Sequence, residues 1–219
     1  MKKIFLSIAL LALTIQCFAQ KKTKKELLYS YKLSIVAGLI QPIALKGGNI
    51  EVNYTTNRMI FDYSHGFNLN PPSASGGEYK SQNVDLYLPF STGFGIGYRF
   101  TSNLDVRFEP KLHSWEVYYK DEPQNINNRI KDYKTFTLGA GVYYRYFPFR
   151  NSQKKILQGI TTATSLRYWP NVGSSLSDDS FSYHNKTTQK TENQKVANVG
   201  IDNSPLIFNI SVGYTFGGK

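Results

Sequence analysis

From Val84 to Phe100 every even position but one is apolar: Val84, Leu86, Leu88, Phe90, Phe94, Ile96, Tyr98 and Phe100, with Thr92 the exception. The odd positions read Asp85, Tyr87, Pro89, Ser91, Gly93, Gly95, Gly97 and Arg99. A period of two with one greasy face is the signature of a strand. A strand of a soluble sandwich runs about 5–6 residues, so this run is too long for one. A membrane barrel strand needs about 9–11 tilted residues in the hydrocarbon, plus extensions into its loops. The next segment repeats the pattern with charges, Leu104, Val106, Phe108 and Leu112 against Asp105, Arg107, Glu109, Lys111 and His113. Two more clear strands follow, through Phe136–Tyr146 and Leu206–Phe216, and weaker ones cover 31–39 and 157–168.

Thr101-Ser102-Asn103 and Thr55-Thr56-Asn57 punctuate aromatic runs as tight hairpins do. Short turns of membrane barrels lie on the periplasmic side and long loops outside. The chain then rises through 30–40, reverses at Gln41-Pro42, descends to Tyr54 and rises again through 58–67. After a Pro/Gly/Ser loop, 68–82, it descends through 84–100 and rises through 104–119. Past a loop, 121–132, it descends through 134–147 and rises through 157–170. A polar loop, 171–203, leads to the last descent, ending at Phe216. The expectation is all-β: an eight-stranded antiparallel up-and-down transmembrane barrel over 30–219, with both termini in the periplasm.

Pairing Phe100 with Leu104 puts Arg99 opposite Asp105, Gly97 opposite Arg107, Gly95 opposite Glu109 and Gly93 opposite Lys111. An eight-stranded interior is just wide enough to be filled by side chains. Arg99, Asp105, Arg107, Glu109 and Lys111 therefore read as a lumenal charge network for which glycines make room, with no open pore. At the earlier hairpin, matching apolar faces pairs Tyr54 with Met59 and Val52 with Phe61. That leaves Glu51 across from Asp62 and demands a lumenal cation between them, or another register. Near His113 the apolar parity changes from Leu112 to Trp115, Val117 and Tyr119, which suggests a β-bulge.

The string LPFSTGFGIGYRFTSNLDVRFEP resembles the hairpin of small outer-membrane barrels of the Bacteroidota type, with the eight-stranded architecture of the OmpA and OmpX kind. The end NISVGYTF is similar to the aromatic-terminated last strand that the barrel-assembly machinery recognises. That resemblance implies an assembly signal at Gly213, Tyr214 and Phe216. The chain departs from it in the close spacing of Gly213 and in the Gly217-Gly218-Lys219 that follows.

The first residues, Lys2-Lys3, an apolar run Ile4–Ile15 and Cys17-Phe18-Ala19, read as a signal peptide over 1–19. Its removal takes away the only cysteine. A basic segment, 20–29, follows. Beyond the signal no apolar run is long enough for a membrane helix. The excess of positive charge, +11 overall, is concentrated at the proposed periplasmic ends: Lys21, Lys22, Lys24, Lys25, Arg150, Lys154, Lys155 and Lys219. That distribution reads either as a contact with inner-leaflet phospholipid or the cell wall, or as a solvated fringe. Nucleic acid is not expected, for no recognition motif is present.

For chemistry, a lipid-modifying barrel would use Ser, His and a carboxylate near the outer leaflet. The candidates are His113, Ser114 and Glu116, and the pair Ser64-His65. Alternation turns Ser64 inward and His65 outward, and it makes His113 the end of the lumenal ladder. No metal-ligand spacing or phosphate loop appears, so no cofactor is expected. The expected partners are outer-membrane lipids, the assembly machinery and an extracellular ligand at loops 68–82, 121–132 and 171–203. The expected unit is a monomer with a structural or surface-interaction role. The alternatives are an acyl hydrolase or acyltransferase, and a narrow conduit for a small apolar molecule.

Overall fold

The computed structural model describes residues 32–71 and 83–217. The signal peptide, the basic segment, Lys219 and most of the 68–82 loop lie outside the described residues. Eleven strands are present in this part: β1 (Lys32–Gly38), β2 (Gly48–Thr55), β3 (Met59–Leu69), β4 (Val84–Arg99), β5 (Leu104–Tyr119), β6 (Arg129–Tyr146), β7 (Ile160–Tyr168), β8 (Asn171–Ser174), β9 (Ser180–Asn185), β10 (Lys190–Lys195) and β11 (Leu206–Gly217). Eight of them close into an antiparallel barrel in the order β5-β4-β3-β2-β1-β11-β7-β6, with β6 returning to β5. β8 continues beyond β7 along the upper part of β6. β9 and β10 form a separate hairpin.

One end of the barrel carries the tight turns after β2 and β4, the 147–159 connection and both described ends of the chain. This end is the base. The other end carries the long connections, and the wall there is uneven. β4, β5 and β6 run 16, 16 and 18 residues, whereas β1, β2 and β7 run 7, 8 and 9.

The sequence reading needs several corrections. Gln41-Pro42 is not a bare reversal but part of a single helical turn, α1 (Ile40–Ala44). The strand expected from 157 begins at Ile160, because a second helical turn, α2 (Lys155–Gln158), precedes it. The 121–132 loop is shorter than expected, since β6 starts at Arg129. The 171–203 stretch is not a plain loop but holds β8 and the β9–β10 hairpin. At the first hairpin Tyr54 pairs with Phe61 and Asn53 with Asp62, two residues from the expected register. The cause is a turn displaced by one residue: Thr56 N–H donates to Met59 O at 2.9 Å, and the Thr56 hydroxyl lies 3.2 Å from both Met59 N and O, so the tip is Asn57-Arg58 where the expected pairing needs Thr56-Asn57. The Arg99–Asp105, Gly97–Arg107 and Gly93–Lys111 pairings are present as expected.

In the lower half the polarity of a soluble protein is inverted. Outward residues such as Phe61, Phe94, Ile96, Phe108, Val142, Phe208 and Val212 are exposed, while inward Asp62, Asp105, Arg107, Glu109 and Lys111 are buried. Tyr54, Tyr98, Phe100, Tyr144, Tyr146 and Phe216 form an exposed aromatic girdle around the base. Such rings sit at membrane interfaces. Among the described residues no helix is long and apolar enough to cross a membrane.

In the upper half the inversion ends. Leu69, Val84, Leu86, Leu88, Trp115, Val117 and Tyr133 turn inward and are buried with Phe181, Tyr183 and Ala197. The strands reach this state by two routes. β3 and β4 flip faces. Ile60, Asp62 and Ser64 are inward at even positions of β3, but Leu69 is inward at an odd one, after Asn68 in the left-handed region at φ 53°. β4 has Val84, Leu86 and Leu88 inside but Gly95, Gly97 and Arg99 inside lower down, with a bulge between Tyr87 and Phe90. Thus Val84–Phe100 is not one face, although its apolar parity never changes. β5 does the opposite. It has no bulge at His113, its odd positions stay inward to Val117, and the side chains on them change from charged to apolar. Its irregularity lies higher, between Val117 and Tyr118 on the β6 side.

Candidate functional site

Arg107 is the centre of the lower lumen. It projects from β5 opposite Gly97, and a Cβ at that glycine would stand 2.7 Å from Arg107 Cγ. The guanidinium reaches Asp105 Oδ1 at 2.6 Å, Glu51 Oε1 at 2.7 Å, Asn53 Oδ1 at 2.7 Å and Asp62 Oδ2 at 3.2 Å. It is therefore the cation that the Glu51 and Asp62 carboxylates require, supplied from a third strand. Its carbon stands 3.7 Å from the centre of the Tyr143 ring, over which Arg167 also lies, at 4.9 Å. Planar guanidinium suits such stacking and several carboxylates at once.

A second cluster lies just above. Glu109 accepts from the Tyr143 hydroxyl at 2.6 Å and the Trp169 indole N–H at 3.2 Å. Lys111 donates to the Ser64 hydroxyl, stands 3.8 Å from Glu109 Oε1 and lies over the Trp169 ring. Arg167 reaches Glu51 Oε2 at 3.5 Å, and Arg145 reaches Asp105 Oδ2 at 3.6 Å. The buried charges are Glu51, Asp62, Asp105 and Glu109 against Arg99, Arg107, Lys111, Arg145 and Arg167. The void left between Glu51, Arg107, Tyr143, Arg145 and Arg167 is about 10 Å³, at the lower limit for a single water.

Arg99 makes its hydrogen bonds outside this network. It is paired with Asp105 across the strands, but Asp105 turns to Arg107 and Arg145 instead. The Arg99 guanidinium donates to the carbonyls of Thr56 at 2.8 Å, Asn57 at 3.2 Å and Ser102 at 3.3 Å.

His113 closes the charged ladder. Its Nδ1 lies 2.8 Å from the Ser91 hydroxyl and its Nε2 2.9 Å from the Thr137 hydroxyl. Both ring nitrogens are thus occupied by hydroxyls, and no carboxylate touches the ring. Ser114 and Glu116 lie on the opposite face of β5 from the buried His113. Glu116 accepts from Arg129 at 2.8 Å and from the Tyr118 hydroxyl at 2.6 Å. The three catalytic candidates are not brought together. Ser64 points inward to Lys111, whereas His65 faces outward against Phe67 and Phe90. Among the described residues no cluster of metal-ligating side chains exists.

Above His113 the interior holds an aromatic stack. Trp115 donates its N–H to the Thr135 hydroxyl at 2.9 Å and stacks on Tyr133, which meets Phe181, which meets Tyr183. Phe181 and Tyr183 come from β9, so the hairpin expected to be loop caps the barrel. The Tyr133 hydroxyl accepts from Ala197 N–H at 3.1 Å and ties the return of the hairpin to β6. In the last strand Tyr214 and Phe216 have ring centres 4.7 Å apart. Gly213 abuts Val36 so closely that a Cβ would lie 2.0 Å from Ile35 O, across the seam where β11 meets β1.

Sequence reasoning missed Tyr143, Arg145, Arg167 and Trp169 as members of the network. Their signal was available: Tyr143, Arg145 and Arg167 stand at inward positions of alternating strands, and Trp169 directly follows β7 in the same phase, each a polar or indole group beside exposed apolar neighbours such as Val142, Tyr144, Leu166 and Tyr168.

No family model and no curated protein sequence matches the chain. Among solved structures it is similar to Ail, the attachment invasion locus protein of Yersinia pestis, with 12% identity and a TM-score of 0.44 over 86% of this chain and 100% of that one. It is also similar to a major outer membrane protein of Thermus thermophilus, with 11% identity and a TM-score of 0.45 over 85% and 99% of the two chains.

Proposed function

We propose that the chain is a plugged barrel of the bacterial outer membrane, with its base in the periplasm and its capped end presented outside as a surface for interaction. The observation that carries this reading is the reversal of polarity part-way up β3, β4 and β5. A lipid-facing wall over a charged lumen becomes a water-facing wall over an apolar core, as a barrel leaving a bilayer must. The tall wall of β4–β6 lifts the β9–β10 hairpin above the membrane, where loops on a rigid scaffold usually carry function. The assembly machinery would read Gly213, Tyr214 and Phe216 at the closing seam. The occupancy of His113 by two hydroxyls and the placement of Ser114 and Glu116 on the other face of β5 weigh against the acyl-transfer alternative. The filled lumen weighs against the conduit.

Three measurements test this. The protein should fractionate with the outer membrane and migrate differently on gels when boiled and unboiled. Intact cells treated with protease should be cut within 186–190 and not within the base turns. Planar bilayers should show no conductance steps. Recovery as a soluble periplasmic protein with unchanged gel migration would overturn the reading.

A further inference from the structure

A cavity of about 430 Å³ lies at the base, far from the cap. Lys32, Arg99, Arg150 and Lys155 line it together with Ser102, Thr215 and the aromatic side chains Phe147, Tyr214 and Phe216, and none of the described residues that line it is acidic. Arg99 forms its inner wall. It is 3% exposed and its guanidinium is held by backbone carbonyls, so the charge is met at contact distance by dipoles. A buried cation in that state is a strong attractor for an anion that can reach it.

The setting narrows the anion. Phe216 of the aromatic girdle lines the cavity with Phe147, and Lys32 Nζ lies 5.3 Å from the centre of the Phe147 ring. Beside it the 147–159 connection exposes Phe149 and, at 72%, Ile156, on the same segment as Arg150, Lys154 and Lys155. A segment that alternates bare apolar side chains with cations matches a lipid surface, since the apolar groups enter the acyl boundary while the cations meet phosphate. Cell-wall carboxylates would satisfy the cations but leave Phe149 and Ile156 in water.

We propose that this basal cavity binds the phosphate of an anionic phospholipid in the periplasmic leaflet, with Arg99 as the buried anchor and Arg150 and Lys155 as the outer clamp. The proposal rests on the reading above that the barrel spans the outer membrane with its base toward the periplasm. Full-length protein in nanodiscs of phosphatidylcholine with a minor share of phosphatidylglycerol, released gently into a mass spectrometer, should retain phosphatidylglycerol selectively. The double substitution R150Q/K155Q, placed on the exposed connection, should cut that retention by about tenfold or more, given about 1 kcal/mol for each cation near an anionic lipid. The variant's heat-dependent gel shift should be unchanged, which separates loss of the site from loss of the barrel. Equal retention of the two lipids, or undiminished retention in the double variant, would overturn the proposal. Displacement of the lipid by millimolar inorganic phosphate would overturn the assignment to a lipid, and so would binding of soluble cell-wall fragments in preference to it.

Discussion

The two halves of this barrel line their interior in opposite ways. The lower half places Arg107 among Glu51, Asp62 and Asp105 and gives its outer surface to Phe61, Phe94, Ile96 and Phe108. The upper half packs Trp115, Val117, Tyr133 and Phe181 inside and gives its outer surface to Asp85, Glu116, Arg129 and Asp132. In the proposed membrane setting the difference follows from the solvent outside. Against lipid the apolar side chains gain nothing by turning inward, so the lumen takes polar groups that can satisfy one another. Against water the ordinary hydrophobic effect returns and the apolar groups move in. The boundary lies between Lys111 and Trp115 on β5, with His113 and its two hydroxyl partners in the transition.

The largest effect should come from breaking the lower half. R107M leaves Glu51, Asp62 and Asp105 without their shared cation, and removing one partner of a buried pair costs about 3–5 kcal/mol. The loss should be global. Denaturant unfolding from vesicles should shift strongly, and the compact unboiled gel band should weaken. If that band and the unfolding midpoint are unchanged, the charge network is not what holds the lumen.

In the upper half W115A removes the base of the aromatic stack, at a cost of about 3–5 kcal/mol for a buried tryptophan. Here the loss should be local. The heat-dependent shift should persist while protease cleaves the β9–β10 hairpin much faster. Equal weakening of both halves would show that they unfold as one and that the division drawn above has no energetic meaning.

The outer face of β4 offers a sharper comparison, because one strand crosses the boundary. Phe94, 65% exposed below the bulge, should tolerate lysine badly, at about 2–4 kcal/mol for a charge near the bilayer centre. Asp85 above the bulge should accept lysine within about 0.5 kcal/mol. Both substitutions place the same charge on the outer wall, so similar unfolding shifts would mean that lipid does not stop between them.

That same strand shows what was legible in the sequence. Alternation located the eight barrel strands, and a three-residue turn after Phe100 was enough to pair Gly93 with Lys111. Alternation cannot say which face is inside. Val84, Leu86 and Leu88 share their parity with Phe94, Ile96 and Tyr98, and only the bulge at Tyr87–Phe90 and the left-handed Asn68 separate lumen from lipid. On β5 the change from Leu112 to Trp115 was visible, but it suggested a bulge. The backbone stays regular there and the environment changes instead. The ion-pair partners were the least legible, since Arg107 collects Glu51 and Asp62 from strands that only barrel closure brings near. The hairpin of β9 and β10 was hidden because Phe181 and Tyr183 alternate within a run of Ser, Asn, Lys and Thr that reads as loop.

The smallest effect concerns acid, and it should again divide the halves. Glu192 on β10 is within reach of solvent, yet hydrogen bonds from the Asn185 and Thr188 side chains, and from Tyr183, hold its carboxyl below the ordinary value of 4.5. Thr188 donates at 2.8 Å and Tyr183 at 3.0 Å. The folded hairpin thus favours the charged carboxylate. Its contribution is present in full above the unfolded value and is lost as pH falls through the lower, folded one. Amide exchange across β9 and β10 should therefore accelerate below about pH 4.5, more than pH alone accounts for, and E192Q should remove that dependence. Glu192 lies on the capping hairpin, so the exchange of β2 and β3 amides in the lower wall should not follow this step. If it does, the cap and the charged lumen respond to acid together, and the boundary at His113 does not insulate one from the other.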